Sequence, residues 1–287
     1  MAPLPRLNKI ITLLQQGKIV FGGRTNCGDP DYFTFLANSN YDFIVIDQEH
    51  SEFSPRALRD SLQHLLSRKR IAQAGTIAPD PVPLVRVPSN GREKNQWLIK
   101  HILDLGPYGL ALPHINTVEE AQWAVASARY AQKPGVKDFQ PEGMRGWHPD
   151  IAVQYWGVTP REYIDKADVW PLDPDGEMFL IGLIEEAEGI RNLPDILKQV
   201  KGIGAIWVGR ADMSLTLGTQ GDREDPRVEE MVMRVLNDCK QHNVPCAVFS
   251  PPDKIAQRIE QGFRIIMSPP RFAADGLESG RKVAGRA

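Results

Sequence analysis

Residues 42–50 read Asp42-Phe43-Ile44-Val45-Ile46-Asp47-Gln48-Glu49-His50. An apolar run with no polar alternation marks a strand covered on both faces. This one ends abruptly in acids, an amide and a histidine. Ser54-Pro55 follows, a serine cap ahead of a proline at the first helical position. Ala57, Leu58, Leu62, Leu65 and Leu66 then recur at helical spacing. Buried strand, polar strand end and capped helix together make one β/α unit.

The same unit recurs on both sides. Apolar runs at 19–23, 42–48, 83–87, 109–113, 178–185, 204–209, 244–249 and 264–268 read as eight buried parallel strands. Trp97, Leu98, Ile102, Leu103 and Leu105 form one helical face before Gly106. Thr117 with Glu119 and Glu120 opens another helix, reaching about Tyr130. Further helical patterns cover 188–200, 226–241 and 253–261. Alternation of this kind predicts an α/β fold with a parallel sheet. Eight strands fit a (β/α)8 TIM barrel, although the pattern alone also accommodates a doubly wound open sheet. We read residues 1–287 as a single barrel domain.

Two segments break the rhythm. Residues 70–82 read as an Ala/Pro-rich loop, and residues 132–177 form a long excursion with little periodicity. Long irregular loops in compact domains are usually functional, and in a barrel the active site is built at the C-terminal face. The excursion is therefore expected to line the acceptor pocket, with Trp147, His148, Tyr155, Trp156 and Tyr163 as candidates. Packing of the loop or of a subunit interface explains the same aromatics equally well.

Composition narrows the class. The chain has 287 residues, is 42% hydrophobic and carries a formal net charge of −2, which gives no reason to expect nucleic acid or an anionic membrane as partner. Cys27, Cys239 and Cys246 show no CxxC spacing, which argues against a disulfide framework or a thiolate metal site. The first residues lack the apolar core of a signal peptide. A cytoplasmic enzyme is the expectation.

Chemistry is legible at the strand ends. Asp47 and His50 follow the second strand, Arg86 lies in the third, His114 follows the fourth, Glu185 ends the fifth, and Gly209-Arg210-Ala211-Asp212 follow the sixth. Taken singly, Glu185 reads as a cap or surface acid, His114 as a backbone partner and Asp212 as a helix cap. Clustering on consecutive strands is what argues for a site, because barrel strand ends converge on one mouth. Glu185 and Asp212 supply hard oxygen ligands that suit Mg²⁺ or Mn²⁺ and leave positions open for a chelating 2-oxo acid. The ion would polarise the ketone, and Arg86 would sit beside the developing oxyanion. His50 would move protons, oriented by Asp47 or Asp104. The amides of Gly209, Arg210 and Ala211 would hold the substrate carboxylate. No lysine stands at a strand end, so a Schiff-base route is less favoured.

At these residues the chain resembles the HpcH/HpaI aldolase family, the metal-dependent class II pyruvate aldolases. The matching blocks are residues 42–50, Val85-Arg86-Val87-Pro88, Ile102-Leu103-Asp104-Leu105-Gly106, Leu112-Pro113-His114, Leu183-Ile184-Glu185-Glu186-Ala187-Glu188-Gly189 and Val208-Gly209-Arg210-Ala211-Asp212-Met213-Ser214. They run in family order from about residue 18 to about 275. Within the family, Pro113-His114 and the long excursion are similar to the macrophomate synthase branch.

The resemblance implies Mg²⁺, Mn²⁺ or Co²⁺ on Glu185 and Asp212, His50 as base, Arg86 on the enolate oxygen and Asp104 supporting the histidine. It implies pyruvate or oxaloacetate as donor, with an aldehyde or other acceptor. It also implies a homo-oligomer, a hexamer of exchanged-helix dimers, in which Asp47 reaches a neighbour's site. Other readings are a citryl-CoA-lyase-like or phosphoenolpyruvate-mutase-like barrel, or a non-catalytic barrel. A CoA ester needs a cationic patch for its phosphates, for which Ser67-Arg68-Lys69-Arg70 is the best stretch.

Overall fold

A computed structural model of the chain describes residues 4–89, 91–268 and 273–286. Every apolar run forms a strand: β1 (Val20–Asn26), β2 (Phe43–Asp47), β3 (Val82–Arg86), β4 (Gly109–Leu112), β6 (Met178–Ile184), β7 (Ala205–Val208), β8 (Cys246–Phe249) and β9 (Ile265–Ser268). A short extra strand, β5 (Val169–Trp170), lies beside the start of β6. All pairings are parallel, and β4 pairs directly with β6 while β9 pairs with β1. The ring of eight therefore closes, which selects the barrel over the open sheet.

The helices form where local signals place them. Ser54 caps Pro55–His64 by accepting from the Ala57 amide. Thr117 and Glu120 form a reciprocal capping box for Val118–Ala128. The strands β2, β3, β4, β6 and β7 are buried at every residue. Each large apolar side chain so buried contributes roughly 1.5–3 kcal/mol. No described helix is long and apolar enough to cross a membrane. All three cysteines are free.

Two expectations need correction. Residues 70–82 are not all loop, because Ser67 and Gly75 cap a helix over Arg68–Ala74. There Arg70 bonds Asp80 Oδ2 at 2.5 Å and the Ser39 carbonyl at 2.6 Å, so it is already engaged and is a poor phosphate ligand. The 132–177 excursion contains the helices Asp150–Trp156 and Pro160–Lys166 as well as β5. It also lies at the other end of the barrel from the mouth. It follows a helix and precedes β6, and a chain leaving a helix returns to the N-terminal end of the next strand. Trp156 Nε1 accordingly donates to the Gly106 carbonyl, just ahead of β4, and Tyr155 Oη donates to Leu62 O.

That N-terminal end is closed by the helix Lys9–Gln15, with Asn8 Nδ2 donating to Tyr108 O and Glu177 O. Beside it, Asp42 is fully buried and accepts from the Phe21 amide at 2.9 Å. Arg286 grips it with two bonds of 2.6 and 2.8 Å, and Lys9 Nζ lies 3.3 Å away. Burial works to raise the Asp42 pKa, but Arg286 and Lys9 outweigh it and hold the group below its ordinary value. Asp42→Asn should therefore cost about 3–5 kcal/mol in denaturant unfolding at pH 7, as expected for breaking a buried ion pair. A lowered folded pKa means the contribution is complete above the ordinary aspartate value of 3.8 and disappears as pH falls through the folded one. The variant should lose this share of the acid sensitivity. Equal unfolding midpoints for the two proteins would refute it.

Candidate active site

The C-terminal ends of β2, β3, β4, β6 and β7 deliver the candidate residues. Asp47 and Arg86 are register partners as the last residues of β2 and β3. Arg86 Nε donates to Asp47 Oδ1 at 2.9 Å and Nη2 to Oδ2, a bidentate grip, while Nη1 stands 2.7 Å from Glu49 Oε2. Arg86 is 4% exposed, so it needs these carboxylates. Burial would lower its pKa, but Asp47, Glu49 and Glu185 override that and keep the guanidinium above its ordinary value. Beneath it lies the Trp207 ring, 5.8 Å away, and Arg24 reaches Asp47 Oδ2 at 3.3 Å.

Glu185 follows β6 and faces Gly209, which follows β7; Ile184 and Val208 are register partners. A Cβ on residue 209 would come within 2.4 Å of Glu185 Oε2, so only glycine allows this approach. The Glu185 carboxylate is buried and accepts the His114 amide at 3.0 Å. Burial first, then the charges of Glu49 and Asp212, push it up to about 7 against the opposing effect of His114. His114 adopts φ +56°, a left-handed conformation unusual outside glycine. Its amide bond to Glu185 and its Nδ1 contact to Glu186 Oε1 at 2.7 Å hold it there. Burial lowers the imidazole pKa, but Glu185, Glu186 and Glu49 raise it further, so the ring favours its cationic form more than a free histidine does.

Asp47, Arg86, His114 and Glu185 are thus brought together, with Asp212 near enough to act on the Glu185 charge. His50 sits at the rim, 60% exposed at its side chain, with Nε2 3.6 Å from Glu49 Oε2. Asp47 steadies it only through the backbone, accepting the His50 amide at 3.4 Å. Asp104 is not beside His50 within this chain. It ends the helix before β4 and binds Arg145 Nη2 at 2.9 Å. The Gly209 amide is engaged with Ile184 O, so it is not free for a substrate carboxylate. The Arg210 side chain reaches Arg223 O and Glu224, while the Arg210 and Ala211 amides belong to the first turn of the helix Arg210–Thr216. The excursion aromatics stay at the far end: Tyr155, Trp156 and Tyr163 are buried there, and Trp147 packs on Tyr130.

Glu49 and Glu186 were not singled out from the sequence. Glu49 links Arg86, His50 and His114, and Glu186 links His114 to Arg92. The available signal was spacing, since Asp47 and Glu49 are two residues apart after a strand, and Glu186 adjoins Glu185.

Among the described residues, no group of three or more His, Cys, Asp or Glu side chains forms a metal cage. The pair Glu185 and Asp212 still fits a hard dication. Burial first, and the charges of Glu49 and Asp212 after it, push this carboxylate up to about 7, and a cation would relieve both by compensating its negative charge. Mg²⁺ in particular keeps waters and is often held by only one or two carboxylates.

A closed (β/α)8 barrel with acids, an arginine and histidines at its C-terminal rim is built as a barrel enzyme. Residues 26–268 match the model of the HpcH/HpaI aldolase/citrate lyase family, and the chain belongs to that family. By that membership it is a carbon–carbon lyase. It is 28% identical over 251 residues to 5-keto-4-deoxy-D-glucarate aldolase of Citrobacter koseri, covering 88% of this chain and 85% of that one. A family protein from Burkholderia cenocepacia superposes with a TM-score of 0.75 at 27% identity, covering 96% and 97% of the two chains. Macrophomate synthase shares the fold, with a TM-score of 0.66 at 23% identity over 99% and 89% of the chains.

Proposed function

We infer that this chain is a metal-dependent lyase that cleaves and forms 4-hydroxy-2-oxo acids and decarboxylates oxaloacetate, with pyruvate as the shared product or donor. The observation that carries the reading is Glu185, a buried carboxylate pushed up to about 7 and set between Asp212, His114 and the Arg86 cluster. Glu185 and Asp212 would hold Mg²⁺, Mn²⁺ or Co²⁺. A bound dication would supply Lewis acidity toward the carboxylate and keto oxygens of a 2-oxo acid.

The protein's own groups supply the rest. Asp47 and Glu49 fix the Arg86 guanidinium, so a permanent positive charge stands ready for the negative charge that develops on the keto oxygen. In cleavage, His50 takes the proton of the C4 hydroxyl, the C3–C4 bond breaks, and its electron pair passes toward the 2-oxo group. An aldehyde leaves, and C3 then takes up a proton. His50 is exposed enough to meet substrate and exchange that proton with water. His114 adds positive character above Glu185 and Glu186.

The same reading places the enzyme in the cytoplasm as a homo-oligomer. The exposed Trp97, Trp123, Met144 and Trp147 support burial of apolar surface in an assembly. A hexamer follows from the family resemblance, and only a neighbouring chain could bring Asp104 or the excursion to a mouth.

The direct test is pyruvate release from oxaloacetate. Activity should vanish with EDTA and return with Mg²⁺ or Mn²⁺. Turnover that ignores the chelator would reject the metal-dependent mechanism.

A further inference from the structure

The N-terminal end of the barrel, opposite the catalytic rim, holds a cavity of about 330 Å³. It lies where the helix Lys9–Gln15, β5, the helix Pro226–Gln241 and the starts of β8 and β9 come together. At ~30 Å³ per water-sized group it has room for roughly eleven, and it falls within the ~300–1,000 Å³ range of small-molecule sites.

Its lining combines apolar and cationic groups. Leu14, Leu236 and the Trp170 ring are apolar, and the buried Cys239 and Cys246 lie among them. Trp170 is held by stacking on Phe179, with ring centroids 5.9 Å apart and planes 24° from parallel. Both cysteines are free, and burial pushes the Cys246 thiol well above its ordinary pKa, so it stays neutral. An indole and two polarisable sulfur atoms suit an aromatic ring.

The charged groups of the lining are Lys240 and Arg264, and no carboxylate of the described residues lines the cavity. Neither cation has an acidic partner among the described residues. Lys240 Nζ donates to Gln261 O at the end of the helix Ile255–Gln261, and Arg264 Nη2 reaches Lys18 O at 3.5 Å. An ammonium has three donors and a guanidinium five, so most of them are unused. Lys254 and Arg258, close by in sequence, are by contrast paired with Glu224 and Glu229. Both free cations are fixed near the thiols. A Cβ on residue 262 would lie 2.5 Å from Lys240 Cε, and the Arg264 amide donates to Cys246 O at 3.1 Å. The Lys240 charge also acts on the Cys246 thiol, against the effect of burial.

We propose that this cavity binds a small aromatic monocarboxylate, with Arg264 and Lys240 on the carboxylate and Trp170 against the ring. The guanidinium fork matches carboxylate geometry, and the ammonium adds a second charge. The cavity and the Glu185 cluster stand at opposite ends of the strands, so occupancy does not depend on the lyase chemistry.

Equilibrium dialysis of the full chain with labelled benzoate tests this, with EDTA present so that no metal at the mouth holds the carboxylate. The wild type should bind benzoate about tenfold or more tightly than benzamide, its neutral analogue, as for loss of a hydrogen bond to a charged group. Benzoate affinity should fall about tenfold in Arg264→Met and about threefold in Lys240→Met, whose ammonium is more exposed and more screened by salt. Trp170→Leu should also weaken benzoate. Absence of binding to the wild type, benzamide bound as tightly as benzoate, or unchanged benzoate affinity in both cation variants overturns the site. Losses in the cation variants with unchanged affinity in Trp170→Leu overturn the aromatic assignment. The comparison of benzoate with benzamide needs only the wild type, so it decides the site even where a substitution impairs folding.

Discussion

Glu185→Gln should lower metal-dependent pyruvate release by about a thousandfold or more, because Lewis-acid stabilisation worth several kcal/mol converts at 1.36 kcal/mol per decade of rate. The substitution is informative because it is nearly isosteric. Glutamine keeps an oxygen to accept the His114 amide, so the β4–β6 contact survives. It also removes a carboxylate whose pKa burial and negative neighbours raise to about 7. A raised carboxylate pKa favours the folded state at low pH, and that stabilisation fades as pH rises through the folded value. Without metal, the variant at pH 8 should therefore melt no lower than the wild type. Asp212→Asn should lose activity in the same way. Calorimetric titration with Mn²⁺ should show binding weakened in both variants. Retention of wild-type turnover by both would remove the two-carboxylate metal site from the account.

Arg86 gives the second large effect, on activity and stability together. Arg86→Lys keeps a positive charge but cannot make the bidentate grip on Asp47 while also reaching Glu49. Its kcat should fall by about 10²–10³-fold, the range seen when a preorganised donor to an oxyanion is removed. Arg86→Leu should in addition cost about 3–5 kcal/mol of stability, because two buried carboxylates lose their shared cation. Thermal unfolding and steady-state kinetics read the two effects separately. A lysine variant with unchanged kcat would show that Arg86 is a structural ion pair only.

The fold was legible because barrel strands and their helices are specified locally. The runs at 42–48 and 178–185 are continuous apolar stretches, and Ser54-Pro55 and Thr117 mark helix starts whatever surrounds them. Glu185, Arg86 and His114 could be singled out for the same reason. A polar residue at a strand end is a feature of sequence, and barrel geometry brings strand ends together.

What sequence alone determined, then, was the set of elements, the residues at their C-terminal ends and the family those residues resemble. Tertiary structure decided closure of the ring, the Asp47–Arg86–Glu49 linkage, the approach of Glu185 to Gly209, and the contact of His114 with Glu186. It also decided that Asp104 meets Arg145 and that the excursion packs beneath the barrel. The reason is physical. Capping and apolar periodicity act over a few neighbouring residues, whereas each side-chain partnership in the site joins different strands or loops. Such contacts depend on parallel register and on which end of the barrel a connection occupies, and neither is encoded in the spacing of any one segment.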